Sequence, residues 1–148
     1  MDGCLRGLRR GSSQAIIPIG MNYRKELIRK AFTALDVGDV VPFRALFDPD
    51  AKWIGVPQRG EVDETPTCPN RAAIVDLLER QHANGRRFRL GKLIEDGDRV
   101  AVELTILAPE WSGPVSVFKV FTLEPGEDVV MRMNDCIDES YALQVLAA

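Results

Sequence analysis

The sequence predicts an α+β fold, and three observations predict it. The first half of the chain carries apolar residues at helical spacing, the second half from Phe88 onward alternates, and one strand-like stretch around Trp53 lies between the helical segments.

Tyr23, Leu27, Ile28, Ala31, Phe32 and Leu35 gather into one stripe of a first helix, with Arg24, Lys25, Arg29 and Lys30 largely off it. Val37-Gly38-Asp39 supplies a stop and a restart. Gly38 suits a left-handed C-terminal position, and Asp39 offers oxygens to the free N–H groups of the next helix. Val40, Phe43, Leu46 and Phe47 form the apolar face of that short second helix, and Pro42 falls in its first turn. Ala51 to Val56 reads as a strand anchored by Trp53. Pro57, Gly60, Pro66 and Pro69 then break periodicity around Glu61, Asp63 and Glu64, so a long solvated loop is expected.

Asn70 is placed to cap a third helix from Arg71 to Asn84, with Ala73, Ile74, Leu77, Leu78 and Gln81 on one face and Asn84-Gly85 as its end. Strands follow at roughly 87–95, 98–107, 115–123 and 129–138. Asp96-Gly97-Asp98, Pro109 to Pro114 and Glu124 to Asp128 connect them, and a last helix covers Glu139 to Leu146. The expected result is a strongly curved sheet whose concave side is closed by three helices.

At 148 residues, 45% hydrophobic and 28% charged, the chain has the size and composition of one globular domain, with residues 21–148 as its body. A net charge of -3 argues against general nucleic-acid binding, which needs a concentrated basic face. No apolar run has membrane-spanning length. Cys4, Cys68 and Cys136 are odd in number and far apart, and the chain has a single histidine, so neither a disulfide framework nor structural zinc is indicated. Free thiols fit a cytoplasmic setting, and nothing calls for a metal or cofactor. Residues 1–20, with Arg6, Arg9 and Arg10 among Gly and Ser, read as a disordered tail or an upstream start ahead of Met21; an Arg-rich contact arm is the other reading.

The segments AFTALDVGD, RALFDPDAKW and VVMRMNDCIDESYAL resemble the NTF2-like superfamily in its SnoaL-like and ketosteroid isomerase-like branch, over residues Asn22 to Leu146. The resemblance implies a cone: a curved antiparallel or mixed sheet wrapped around three helices from the N-terminal half, with a concave small-molecule pocket. It also implies a convex face used for homodimers. The isomerase catalytic positions are not matched. Its tyrosine position falls on Ala31, its base on Gly55 or Val56, and its acid on Lys119. Ketosteroid isomerisation by that mechanism is therefore not expected.

Strand alternation puts Val117, Lys119 and Phe121 on one side of their strand, and Arg132, Asn134, Cys136 and Asp138 on one side of the last. The resemblance implies that these are the pocket sides, with Trp53 and Val56 contributing from the first strand. Lys119 would then pair with an acid such as Asp138 or meet an anionic ligand, and its other reading is an outward-facing lysine. Asp138 occupies the position of a cavity aspartate in SnoaL-like proteins, while its spacing equally suits a helix cap. Trp53 is read either as a stacking surface or as core. Asp135 alternates away from Arg132 and Asp138, which leaves the Asp-Arg-Asp arrangement of limonene epoxide hydrolase incomplete. Glu103 falls on the convex face, Cys136 reads as a small core residue, and His82 sits in a last helical turn.

Two functions follow. One is a SnoaL-like lyase, isomerase or cyclase that handles an apolar, acidic or enolic small molecule, with Asp138 and Lys119 as catalytic groups. The other is a non-catalytic homodimeric or partner-binding module whose interior is filled by Trp53, Phe121 and Met133.

Overall fold

A computed structural model of the chain describes residues 23–55 and 66–148. The tail at 1–20, Met21, Val56 and the acidic stretch of Glu61, Asp63 and Glu64 lie outside the described residues. Helix α1 spans Tyr23–Asp36 and buries Ile28, Ala31, Phe32 and Leu35, four members of the predicted stripe. Gly38 ends it at φ 86. The amide of Asp39 donates to the Ala34 carbonyl at 2.9 Å, a closure that needs a left-handed residue before it. The Asp39 carboxylate in turn accepts from the Val41 amide at 3.0 Å, at the start of α2, Val41–Leu46.

Strand β1, Phe47–Ile54, follows α2 without a loop and begins four residues before the predicted start at Ala51. A short strand β2, Pro66–Cys68, returns antiparallel to it, with Cys68 opposite Trp53. No sequence signal marks β2, because three residues are too few to show alternation. Helix α3, Arg71–Ala83, starts on the predicted cap: the Asn70 side chain accepts from the Ala73 amide at 2.9 Å. Strands β3, Arg87–Asp96, β4, Arg99–Leu107, β5, Val115–Leu123, and β6, Val130–Cys136, come next, and helix α4, Glu139–Ala147, closes the chain.

The sheet order is β2-β1-β6-β5-β4-β3, antiparallel from β3 to β6 and parallel between β1 and β6. Pairing β1 with β6 brings the two ends of the sequence pattern side by side. One face of the sheet carries α1, α2 and α3. There Phe32 meets Phe43, Phe88 and Phe121 edge-on, with ring centroids 4.9, 5.7 and 6.1 Å away. The opposite face carries α4, which packs Ala142 and Leu146 onto Ala101, Phe118, Val120 and Cys136. The convex side that the resemblance reserves for a partner is thus partly covered by the chain's own last helix.

Candidate functional site

Lys119 is the only charged side chain fully buried among the described residues. It lies two residues before Phe121 on β5 and so shares Phe121's face, the one under the three helices. Burial of an ammonium requires a partner. Asp135 on β6 is directly opposite in the strand register and supplies one, with Lys119 Nζ 2.5 Å from Asp135 Oδ1. The other carboxylate oxygen, Oδ2, accepts from Trp53 Nε1 at 2.9 Å. Lys119 Nζ also sits 4.3 Å from the centroid of the Trp53 ring, within cation–π range. Three adjacent strands, β1, β6 and β5, therefore deliver an indole, a carboxylate and an ammonium to one point. The side-chain exposures are 4% for Lys119 and 21% for Asp135, so the carboxylate is the end that solvent reaches.

This arrangement corrects the pocket assignment of the last strand. Leu123 pairs with Val130, and regular pairing from there would set Asn134 opposite Lys119. The register shifts by one between Thr122 and Leu123, so that Thr122 pairs with Arg132, Phe121 with Met133 and Lys119 with Asp135. Met131 is the extra residue. A one-residue bulge exchanges the faces of everything beyond it. Met133 and Asp135 consequently face the helices, whereas Asn134 and Cys136 turn to the α4 side, where Cys136 packs against Phe118 and Ala142. Arg132 Nε donates to Asn134 Oδ1 at 3.1 Å on that outer side. Arg132 and Asn134 are therefore not partners of Lys119, and Asp135, which simple alternation turns away, is.

Asp138 is likewise displaced from the predicted site. It is exposed, and its carboxylate accepts from the Tyr141 amide at 2.8 Å as the N-cap of α4. Val117 and Phe121 share the face of Lys119, and Phe121, Met133 and Trp53 belong to the main core at 0%, 1% and 5% exposure. Ala31, to which the resemblance assigns the isomerase tyrosine position, is fully buried in that core.

Residues 28–135 match the family model of the SnoaL-like domain. This chain belongs to that family. Its sheet and helices have the NTF2-like architecture that the resemblance implies. Among solved structures, the SnoaL-like chain is similar to IdmH, a proposed polyketide cyclase from Streptomyces antibioticus, at 16% identity, 85% coverage of this chain, 99% of that one and a TM-score of 0.61. It is similar to TerC co-crystallised with polyporic acid, at 19% identity, 84% and 98% coverage and a TM-score of 0.60. A proposed polyketide cyclase from Sinorhizobium meliloti shows 18% identity, 74% and 93% coverage and a TM-score of 0.59. At these identities the likeness is one of fold. Among curated proteins, no sequence matches the chain.

The remaining candidates in the SnoaL-like domain have structural partners. His82 Nε2 lies 3.3 Å from the Asp36 carbonyl oxygen, and its ring packs on Gly38, joining the ends of α3 and α1. The arginines after α3 go separate ways: Arg86 lies 4.7 Å from the Trp111 ring centroid, Arg87 donates to the His82 carbonyl, and Arg89 reaches Asp36. Glu103, on the α4 side of β4, accepts from the Lys92 amide at 3.1 Å across the irregularity in β3. Burial raises the thiol of Cys68, against the opposing charge of Arg80. Burial, reinforced by the Asp135 charge, pushes Cys136 up to about 11. Neither is a ready nucleophile at neutral pH. Among the described residues no cluster of three His, Cys, Asp or Glu forms that would hold a metal, and no helix is long and apolar enough to cross a membrane.

Proposed function

We propose that this SnoaL-like domain binds a small, largely apolar carbonyl or enol compound against Lys119, Asp135 and Trp53, and acts on it as a lyase, isomerase or cyclase. The observation that carries this reading is the buried Lys119–Asp135 pair. Replacing such a pair with apolar residues is often neutral or stabilising, so its presence in an otherwise apolar interior is more readily explained by chemistry than by stability. In this reading Asp135, the solvent-reachable member, moves a proton at the carbon next to a carbonyl. Lys119 donates a hydrogen bond to the oxygen on which negative charge develops. Trp53 holds the carboxylate through Nε1 and presents its ring to a planar ligand. The polyketide cyclases and the polyporic acid complex among the structural neighbours suggest that planar, oxygenated aromatic compounds are the class to try first.

The test is a thermal-shift screen of aromatic ketones, phenols and quinones, polyporic acid included, followed by Trp53 fluorescence titration in a Trp111→Phe background. A ligand at a hundred times its Kd stabilises the folded state by about 2.7 kcal/mol, well within detection. Affinity for a neutral ligand that Lys119→Met and Asp135→Asn each weaken severalfold supports the assignment. Binding that both variants retain in full refutes it.

A second reading is favoured by the tight burial of Trp53, Phe121 and Met133: a non-catalytic module, homodimeric or partner-binding, in which core side chains occupy the cone. A screen without hits, together with a dimer mass from light scattering that persists at nanomolar protein, would favour this reading over the first.

A further inference from the structure

We infer that the Lys119–Asp135 pair makes the site selective for neutral oxygen-bearing ligands over carboxylates, with Asp135 as the residue that sets this preference. The inference rests on the binding reading above and specifies its substrate class. A lone buried lysine would attract an anion. This lysine is already matched: one carboxylate oxygen lies 2.5 Å from Nζ, and the other is held by Trp53.

The second cation expected from the sequence, Arg132, belongs with Asn134 on the α4 side. Among the described residues no other charged side chain is fully buried. Cys68, beside Trp53, carries a thiol that burial keeps protonated, so it adds no charge. Among the described residues, Lys119 and Asp135 are thus the one cation and one anion that meet at the Trp53 ring. A carboxylate ligand beside this pair would be a second anion facing a single cation, at a distance where its repulsion from Asp135 offsets its attraction to Lys119. It would also lose its hydration with no unmatched charge to compensate. A neutral ketone or phenol avoids both penalties. The ammonium has three N–H donors, Asp135 takes one, and a carbonyl oxygen can accept another. Trp53 provides the flat surface at the same point, with its ring centroid 4.3 Å from Nζ.

The experiment compares 2-acetonaphthone with 2-naphthoate, which share one ring system and differ by a full charge. Affinities are read from Trp53 fluorescence in the Trp111→Phe background at neutral pH. The wild-type pair should bind the ketone at least tenfold more tightly than the carboxylate. Asp135→Asn keeps an acceptor for Trp53 Nε1 and unmasks the lysine charge, so the preference should reverse. Lys119→Met leaves the carboxylate of Asp135 unmatched, and there the ketone-to-naphthoate ratio should rise at least threefold above wild type, which serves as the second arm if Asp135→Asn does not fold. Preference for naphthoate in the wild type, or a ratio that neither variant moves, overturns the selectivity and leaves the binding reading intact. Failure of both probes to bind folded wild type at millimolar concentration overturns the binding reading and this inference with it.

Discussion

The two halves of the Lys119–Asp135 pair should contribute unequally to stability, because they are unequally buried. Asp135→Asn removes the charge that matches an ammonium with 4% side-chain exposure and leaves it only the Trp53 ring and an amide oxygen. Breaking a buried pair from one side costs about 3–5 kcal/mol, and the residual amide and cation–π contacts place this variant near the lower end, about 3 kcal/mol. Lys119→Met preserves volume and leaves a carboxylate that is 21% exposed and still bonded to Trp53 Nε1, so water can replace part of what is lost. Its cost should be about 1–2 kcal/mol. The double variant has no unmatched charge and should lie within about 1 kcal/mol of its milder parent, giving a coupling of roughly 3 kcal/mol. Urea unfolding followed by far-ultraviolet circular dichroism and tryptophan emission measures all four proteins, provided the denaturant slope stays constant. If Lys119→Met is the more damaging variant, or the two costs simply add, the ammonium is not the buried partner that depends on Asp135.

Four further outcomes are expected. Arg24, 2.7 Å from Asp98, holds that carboxyl below its ordinary 3.8. The folded state therefore binds fewer protons here than the unfolded chain, and the stabilisation is complete above the ordinary value and lost as pH falls through the lower folded one. Comparing Asp98→Asn with wild type across pH should show a stability deficit at neutral pH that vanishes on acidification, whereas a deficit independent of pH would exclude the ionic contribution. Cys68 and Cys136 should resist iodoacetamide in the folded protein at pH 8, since both are buried and Cys136 titrates at about 11; peptide mapping that finds either modified before unfolding contradicts this. Asp138→Ala should cost about 1 kcal/mol through loss of the α4 cap while leaving ligand affinity unchanged, so an affinity loss without a stability loss would restore Asp138 to the site. Gly85 lies at φ +93, and a Cβ added there would stand 2.6 Å from the Pro109 ring; Gly85→Ala should cost about 2 kcal/mol or more and lower Tm by roughly 5 °C in calorimetry, because a proline ring cannot swing aside.

The sequence by itself determined the architecture. The stripe from Ile28 to Leu35, the Gly38-Asp39 break, the Asn70 cap and the alternation after Phe88 are local signals, each set by neighbours within a few residues, and they place α1, α3 and the four strands β3 to β6 close to where the structure has them. Alternation put Lys119 on the side of Val117 and Phe121. That this side lies under the helices was implied by the family resemblance, with an outward-facing lysine as the other reading, and the structure decides for the helix side. Its partner was not readable in this way. Pairing across β5 and β6 depends on whether the ladder runs regularly from Leu123 and Val130, and one unpaired residue at Met131 exchanges Asn134 for Asp135. Alternation has a period of two, so an error of one residue inverts every face beyond it, and nothing in the local sequence separates a bulged strand from a regular one. The β1–β6 pairing that brings Trp53 to Asp135 joins segments some eighty positions apart, and only the assembled sheet shows that contact. Helix, turn and cap come from short-range chemistry; the ammonium, carboxylate and indole meet only because the tertiary register puts them there.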